Sequence, residues 1–174
     1  MKRFLLLVLA AIGIFTLDAV SKHFVSLYLP EITRSTDNFP YGGIPLFKDW
    51  MGIDFSINHA TNKGAAWGLF AYLQTYLVYL RIAVIGGILT YLLFVKSQFS
   101  RQFALTLVLT GALGNVVDYF IYGHVVDMFH FRFWGYTYPI FNIADSSIFC
   151  GVASLFFQSL FSRQKSNAPD ASST

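Results

Sequence analysis

The chain is 174 residues long, 55% hydrophobic and 12% charged, with a mean hydropathy of +0.55 and a net charge of +3. An ordinary soluble domain carries about 25% charged residues, so this composition describes an integral membrane protein of a few spans. The small net charge and the lack of a basic block interleaved with exposed aromatics argue against nucleic acid as a partner, and the single cysteine excludes an intrachain disulfide framework.

Lys2 and Arg3 precede an apolar run from Phe4 to Leu17. A secretory signal peptide would begin this way. However, no small-x-small cleavage site follows cleanly, Asp18 and Lys22 occupy that region, and three more apolar segments come later. The reading is a retained first span over about 4–27. Asp18 and Lys22 are four apart and share one helix face, where they read first as a mutually neutralising pair. Ser21 beside Lys22 suggests a Ser–Lys hydrolase only weakly, because adjacent helical residues point about 100° apart.

Residues 29–67 form a polar loop with Pro30, Pro40, Pro45 and Gly42-Gly43 as helix breakers. Alternation such as Ile53-Asp54-Phe55-Ser56-Ile57 predicts strands, hence a small β-rich piece outside the membrane. A second span is predicted over 76–95, with Arg81 near its start snorkelling to the interface. A polar turn leads to a third span over 103–122. A connector over 123–139 follows, then a fourth span over 140–161. Cys150 lies in that last span beside Gly151 and reads as a small residue packed between helices. Residues 1–162 are thus expected to form one membrane-embedded domain of four transmembrane helices, with 163–174 as a tail. The aromatic fraction of 18% fits interfacial belts.

Lys2, Arg3, Lys96, Arg101, Arg163 and Lys165 fall at the termini and the turn between spans two and three. The positive-inside rule therefore places both termini in the cytoplasm. Asp18 then lies about 21 Å along the first span from Phe4, toward the outer side. Asn62, Asn115, Asp118, Asp127, Asn142 and Asp145 all fall at the same outer boundary. A conduction pathway would spread polar groups across the whole thickness. Carboxylates at such a boundary are costly and point to function.

Aspartates are the best candidates for chemistry. His23, His59, His124 and His130 are not at metal-ligand spacing, and neither HExxH nor GxSxG occurs. Two close carboxylates cannot both ionise easily, so such a pair can act as acid and base on a water attacking an amide. Spacing alone leaves open which two aspartates meet. Asn142, three residues before Asp145, is placed to orient it or a backbone group. Capping alone is the plainer reading of an aspartate at a helix end. Gly111 and Gly114 read as helix-packing positions. A small carrier using the same acids for proton or cation binding is the alternative class, though no internal repeat or broken-helix pair supports it. A haem-binding subunit is disfavoured because the histidines lie mainly outside the spans.

Four stretches carry a family resemblance: Leu17-Asp18 with Lys22; Asn62-Lys63-Gly64-Ala65-Ala66-Trp67; Gly111-Ala112-Leu113-Gly114-Asn115-Val116-Val117-Asp118 running on to Gly123-His124-Val125-Val126-Asp127; and Phe141-Asn142-Ile143-Ala144-Asp145-Ser146. In order, interval and span layout the chain resembles the lipoprotein signal peptidases, or signal peptidase II family, over nearly its whole length. The resemblance implies a membrane aspartyl protease that cuts prolipoproteins before a diacylglyceryl-modified cysteine and is inhibited by globomycin. It places the catalytic pair on Asp127 and Asp145. Asn62, Asn115 and Asn142 would line the site or position substrate. Gly64, Asp18 and Lys22 would support it, and Asp118 would act structurally. It implies no metal or cofactor, substrates that are lipidated prolipoproteins, surrounding membrane lipids, a monomer, and a bacterial inner-membrane location with the site near the periplasmic face. Two positions depart from the pattern. Tyr119 stands where the family usually has Arg, leaving a positive role unfilled or moved to a nearby group such as Arg132, and Trp67 replaces the commoner Phe.

Overall fold

The computed structural model describes residues 1–32, 39–63 and 71–166. Among these, the chain order is α1 (Lys2–Tyr28), β1 (Ile44–Trp50), β2 (Ile53–Asn62), α2 (Gln74–Phe94), α3 (Phe99–Tyr122), β3 (Val125–Phe133), β4 (Tyr136–Thr137) and α4 (Ile143–Ser166). Each helix is long and apolar enough to cross a bilayer. At 1.5 Å per residue the shortest, α2, reaches about 31 Å, the thickness of the hydrocarbon core. The Gly64 and Trp67 expectations fall outside the described residues, as does most of the tail.

The burial pattern of α1 is the reverse of a soluble helix. Phe4, Leu5, Leu9, Ile12, Leu17 and Phe24 are exposed, whereas Asp18, Lys22 and Val25 are buried. Positions 18, 22 and 25 form one stripe at helical spacing, and that stripe faces the protein. In a bilayer the exposed apolar faces meet lipid, and the ionic groups must point inward. The centre of the bundle is α3, which packs against all three other helices and most extensively against α4. Glycines make this closeness possible. A Cβ at Gly111 would collide with the Ala144 carbonyl, and one at Gly114 would sit 2.7 Å from Asp18 Oδ2.

The strands form one antiparallel sheet in the order β1-β2-β3-β4. They follow the C-terminal ends of α1 and α3 and precede α2 and α4, so the sheet sits at one end of the bundle. Among the described residues, the expected β-rich loop supplies β1 and β2. The stretch read as a connector over 123–139 is the other half of the sheet, with Ile53 through Ile57 opposite Phe133 through Phe129, and Asn62 opposite Val125. Gly123, at φ +76°, ends α3 in a left-handed cap and turns the chain into β3. The fourth helix starts at Ile143 rather than 140. Phe141 bridges Phe129 with backbone bonds of 2.8 and 3.3 Å, which holds the chain extended up to Asn142.

Candidate active site

Five elements deliver polar side chains to one region between sheet and bundle. From α1 come Asp18 and Lys22, and from α3 Asn115 and Asp118. The end of β2 gives Asn62, the start of β3 Asp127, and the start of α4 Asn142 and Asp145. The sequence brings them together by register. Asn62 pairs with Val125, so it is the diagonal same-face neighbour of Asp127. The Phe129–Phe141 bridge runs the chain back along β3 and sets Asn142 beside Asp127.

Lys22 is fully buried and anchors the cluster. Its ammonium lies 2.6 Å from Asp18 Oδ2 and 2.7 Å from Asp118 Oδ2, and it donates to Asn115 Oδ1 at 3.1 Å. The three donors of an ammonium are thereby matched to three acceptors. Asp18 and Asp118 each do a second task. Asp18 Oδ1 accepts the Ala144 N–H at 2.8 Å, and Asp118 Oδ2 accepts the Val126 N–H at 3.3 Å. The ion cluster therefore pins the backbones that carry Asp145 and Asp127. The pairing read for Asp18 and Lys22 is correct, with Asp118 as a third member. Ser21 bonds to the Asp18 carbonyl and takes no part.

Asn142 links the Asp127 carboxylate to the backbone of Asp145. Its Nδ2 donates to Asp127 Oδ1 at 2.7 Å, and its Oδ1 accepts the Asp145 N–H at 2.8 Å. The second bond is an N-cap of α4, so the cap belongs to Asn142, with Asp18 holding the neighbouring N–H. Asp145 is not the cap. Asn115 donates to Asp145 Oδ1 at 2.8 Å, and Asn62 donates to Asp127 Oδ2 at 3.1 Å. Asp127 is almost wholly buried. Burial first, and the neighbouring Asp145 charge second, push its carboxyl up to about 8, against the opposing pull of the Asn62 bond, Lys22 and the Asn142 bond. The two aspartates form an interacting pair in which one proton is retained into the neutral range.

Asp145, Asn115 and Asn62 open onto a cavity of about 760 Å³. Its roof is aromatic, with Phe131, Phe133, Tyr138 and Phe141 from the sheet and the segment before α4. Its wall follows α4 through Ile148, Phe149 and Val152, about 10 Å beyond Asp145. Arg81 of α2 also lines it. One expectation is corrected here. Cys150 is exposed on the cavity wall rather than packed between helices; the packing residue is Gly151, whose Cβ would lie 2.6 Å from the Ala104 carbonyl. Arg132 does not fill the role left by Tyr119. It is bound to Asp54 by bonds of 2.5 and 2.6 Å and lies over the Phe39 ring, away from the cavity. Among the described residues no cluster of His, Cys, Asp or Glu could hold a metal ion.

A four-helix membrane protein with a buried Asp127 beside an Asp145 that opens onto an apolar cavity has the form of an aspartic peptidase working at a membrane. Comparison with known proteins gives the family. The sequence model described as Signal peptidase (SPase) II matches residues 10–161, and the chain belongs to that family. A lipoprotein signal peptidase of Chlamydia pneumoniae is 43% identical over 114 residues, covering 64% of this chain and 68% of that one. One from Chlamydia felis is 37% identical over 153 residues, covering 86% and 87%. One from Bacillus subtilis is 43% identical over 112 residues, covering 64% and 73%. A solved bacterial membrane enzyme matches with a TM-score of 0.75 and 26% identity, covering 94% of this chain and 92% of its own. The chain is therefore a multi-pass bacterial membrane peptidase, and the carrier alternative has no support among its relatives.

Proposed function

We propose that this protein removes the signal peptide from lipidated prolipoproteins, cutting before the diacylglyceryl-modified cysteine, with Asp127 and Asp145 as the catalytic pair. The observation that carries the assignment is the Asn142 bridge. One side chain binds the Asp127 carboxylate and the Asp145 backbone N–H, and a further asparagine steadies each carboxylate, Asn62 for Asp127 and Asn115 for Asp145.

The reaction runs on one shared proton. Below about pH 8 Asp127 holds it. Asp145, at the cavity, takes a proton from a water that attacks the scissile carbonyl carbon. Asp127 gives its proton to the carbonyl oxygen as that oxygen gains charge. Collapse of the tetrahedral species breaks the C–N bond. The proton on Asp145 passes to the leaving amine, and the original carbonyl's proton returns to Asp127. Asn62, Asn115 and Asn142 hold the carboxyl groups; Asp18, Lys22 and Asp118 hold the backbones beneath them.

The substrate reaches the pair sideways. Because α2 packs mainly on α3 while α4 packs on α3 and α1, the cavity lies between α2 and α4, and the acyl chains can stay in lipid. The basic residues at the far end put both termini in the cytoplasm of the inner membrane and the sheet with its site on the periplasmic face. The described residues of one chain bring the two aspartates and their partners together, which supports a monomer as the working unit.

The test is cleavage of a diacylglyceryl-modified precursor by purified protein in lipid bicelles. Asp127→Asn and Asp145→Asn are each expected to lower kcat by about 10³-fold or more, at the upper end of acid–base contributions. Near wild-type cleavage by either variant would contradict the pair. Equal cleavage of the unlipidated precursor would contradict the substrate.

A further inference from the structure

The face of the sheet turned away from the cavity carries a polar layer of its own. Alternation along β3 points Asp127, Phe129, Phe131 and Phe133 to the cavity side, and His130 and Arg132 to the other, where they lie opposite Ser56 and Asp54 of β2. A strap of residues 39–43 covers this layer. The Phe39 and Tyr41 rings pack on the His130 ring with centroids 6.0 and 5.5 Å away, and Asn58 donates to the Pro40 carbonyl at 2.5 Å. Gly43 sits so close to Asn58 and the Ile57 carbonyl that a Cβ would collide with both. Tyr41 holds φ +56°, a conformation that costs an aromatic residue free energy and that its surroundings must sustain. Beneath the strap His130 is only 2% exposed, and among the described residues neither of its ring nitrogens has a hydrogen-bond partner.

We propose that His130 is an acid-sensitive latch: when its ring gains a proton, the 39–43 strap lifts from the sheet, and the strand that carries Asp127 and the cavity roof loosens. A neutral imidazole can be enclosed between two rings at the cost of its unmade hydrogen bonds. An imidazolium brings a full charge and two N–H donors into the same enclosure, which costs far more. The groups around it give no relief. On β3, Arg132 is a like charge two residues away; burial first, and this charge second, hold the His130 ring below the ordinary histidine range. On β2, Asp54 is committed to the Arg132 guanidinium and accepts the Asp49 N–H at 2.7 Å. Lys48 of β1 acts on that same carboxylate, and the strap brings the Tyr41 phenol. Lifting the strap returns the ring to water and frees the Tyr41 backbone from its strained conformation. Phe129 and Phe131 flank His130 in the chain, and Phe131 lines the cavity, so movement here reaches the roof. The latch stands apart from the peptidase reading; its coupling to the roof rests on that reading.

The experiment reads strap lifting at Ser56, which is fully buried on the strap's side of the sheet, opposite His130. Ser56→Cys is made in a Cys150→Ala background, and its labelling by a charged thiol reagent in bicelles is followed from pH 7.5 to 5, relative to a free model thiol. The relative rate is expected to rise roughly tenfold, because an opening linked to one proton can gain up to about tenfold per pH unit below the free histidine value of about 6.5. Adding His130→Phe, which keeps a ring under the strap and takes up no proton, is expected to remove the rise. A rise under threefold, or the same rise with His130→Phe, overturns the proposal. NMR titration of the His130 ring in wild type tests it without any substitution: a midpoint below about 6.5 is expected, and one at or above it overturns the latch. Coupling to the roof is read in cleavage of the lipidated precursor. Between pH 7.5 and 5, KM is expected to rise at least threefold more in wild type than in His130→Phe, and a smaller difference overturns the coupling. Failure of wild type to cleave at pH 7.5 overturns the peptidase reading instead.

Discussion

Asn142 concentrates several tasks in one side chain. Its oxygen caps α4, and its amide fixes Asp127. Asn142→Ala is expected to cost about 1 kcal/mol through the cap alone. It should also lower kcat by roughly 10²-fold, within the range for misplacing a reacting group. Lowered Tm with unchanged kcat would show that only the cap matters. Lys22 is the converse case, a charge with three acceptors. Lys22→Met leaves Asp18 and Asp118 buried without a cation, and about 3–5 kcal/mol of stability should be lost. Denaturation of the purified protein measures it, and Asp118→Asn on that background should restore part. Asp127 gives stability a pH dependence of opposite sign to that of an ordinary salt-bridged aspartate. Its folded value near 8 lies above the unfolded value of about 4. The folded state thus keeps a proton that the unfolded state has shed. The stability from this group is complete below about pH 4, falls as pH rises, and is lost by about pH 8. Asp127→Asn should flatten the slope of Tm against pH between 5 and 8. An unchanged slope would place the titration elsewhere.

Among the elements, the α3–α4 pair sets the site's dimensions. Gly111→Ala drives a methyl into the Ala144 backbone and the Ile148 side chain, and the helix start carrying Asp145 must move. Activity should fall at least tenfold, since displacements near 1 Å can cost 10²-fold. Gly86→Ala, where a Cβ meets nothing, should be silent in the same cleavage assay. The four spans were legible because apolar runs of this length have one explanation. The Asp18–Lys22 pair was legible from i,i+4 spacing. The second half of the sheet was not. Val125–Met128 is buried at every position and does not alternate as β2 does, which leaves only the five residues Phe129–Phe133 with an apolar–polar alternation. Its pairing with β2 joins residues more than sixty positions apart, which no local pattern reports. The cavity roles of Arg81 and Cys150 were hidden for a similar reason. Sequence shows that a residue lies in a span, but not whether its side meets lipid, protein or a cavity between helices.

The molecule as a whole separates two solvents. The helices present apolar side chains outward, the ion cluster is enclosed, and the cavity runs along α4 to Asp145. Cys150 is a natural reporter of that cavity. Modification by a long-chain maleimide is expected to lower cleavage of the lipidated precursor by roughly tenfold or more, given the well-packed contact such sites require. Bound precursor should slow the modification, and Cys150→Ala should abolish the inhibition. Full activity after complete modification would place the substrate elsewhere.

The central claim is that two carboxylates share one proton at this boundary. The most direct measurement is single-turnover cleavage of the lipidated precursor in bicelles from pH 4 to 10. A bell-shaped profile is predicted, with its alkaline limb centred near 8, where the pair loses its shared proton. A rate that holds level through pH 10 would contradict it.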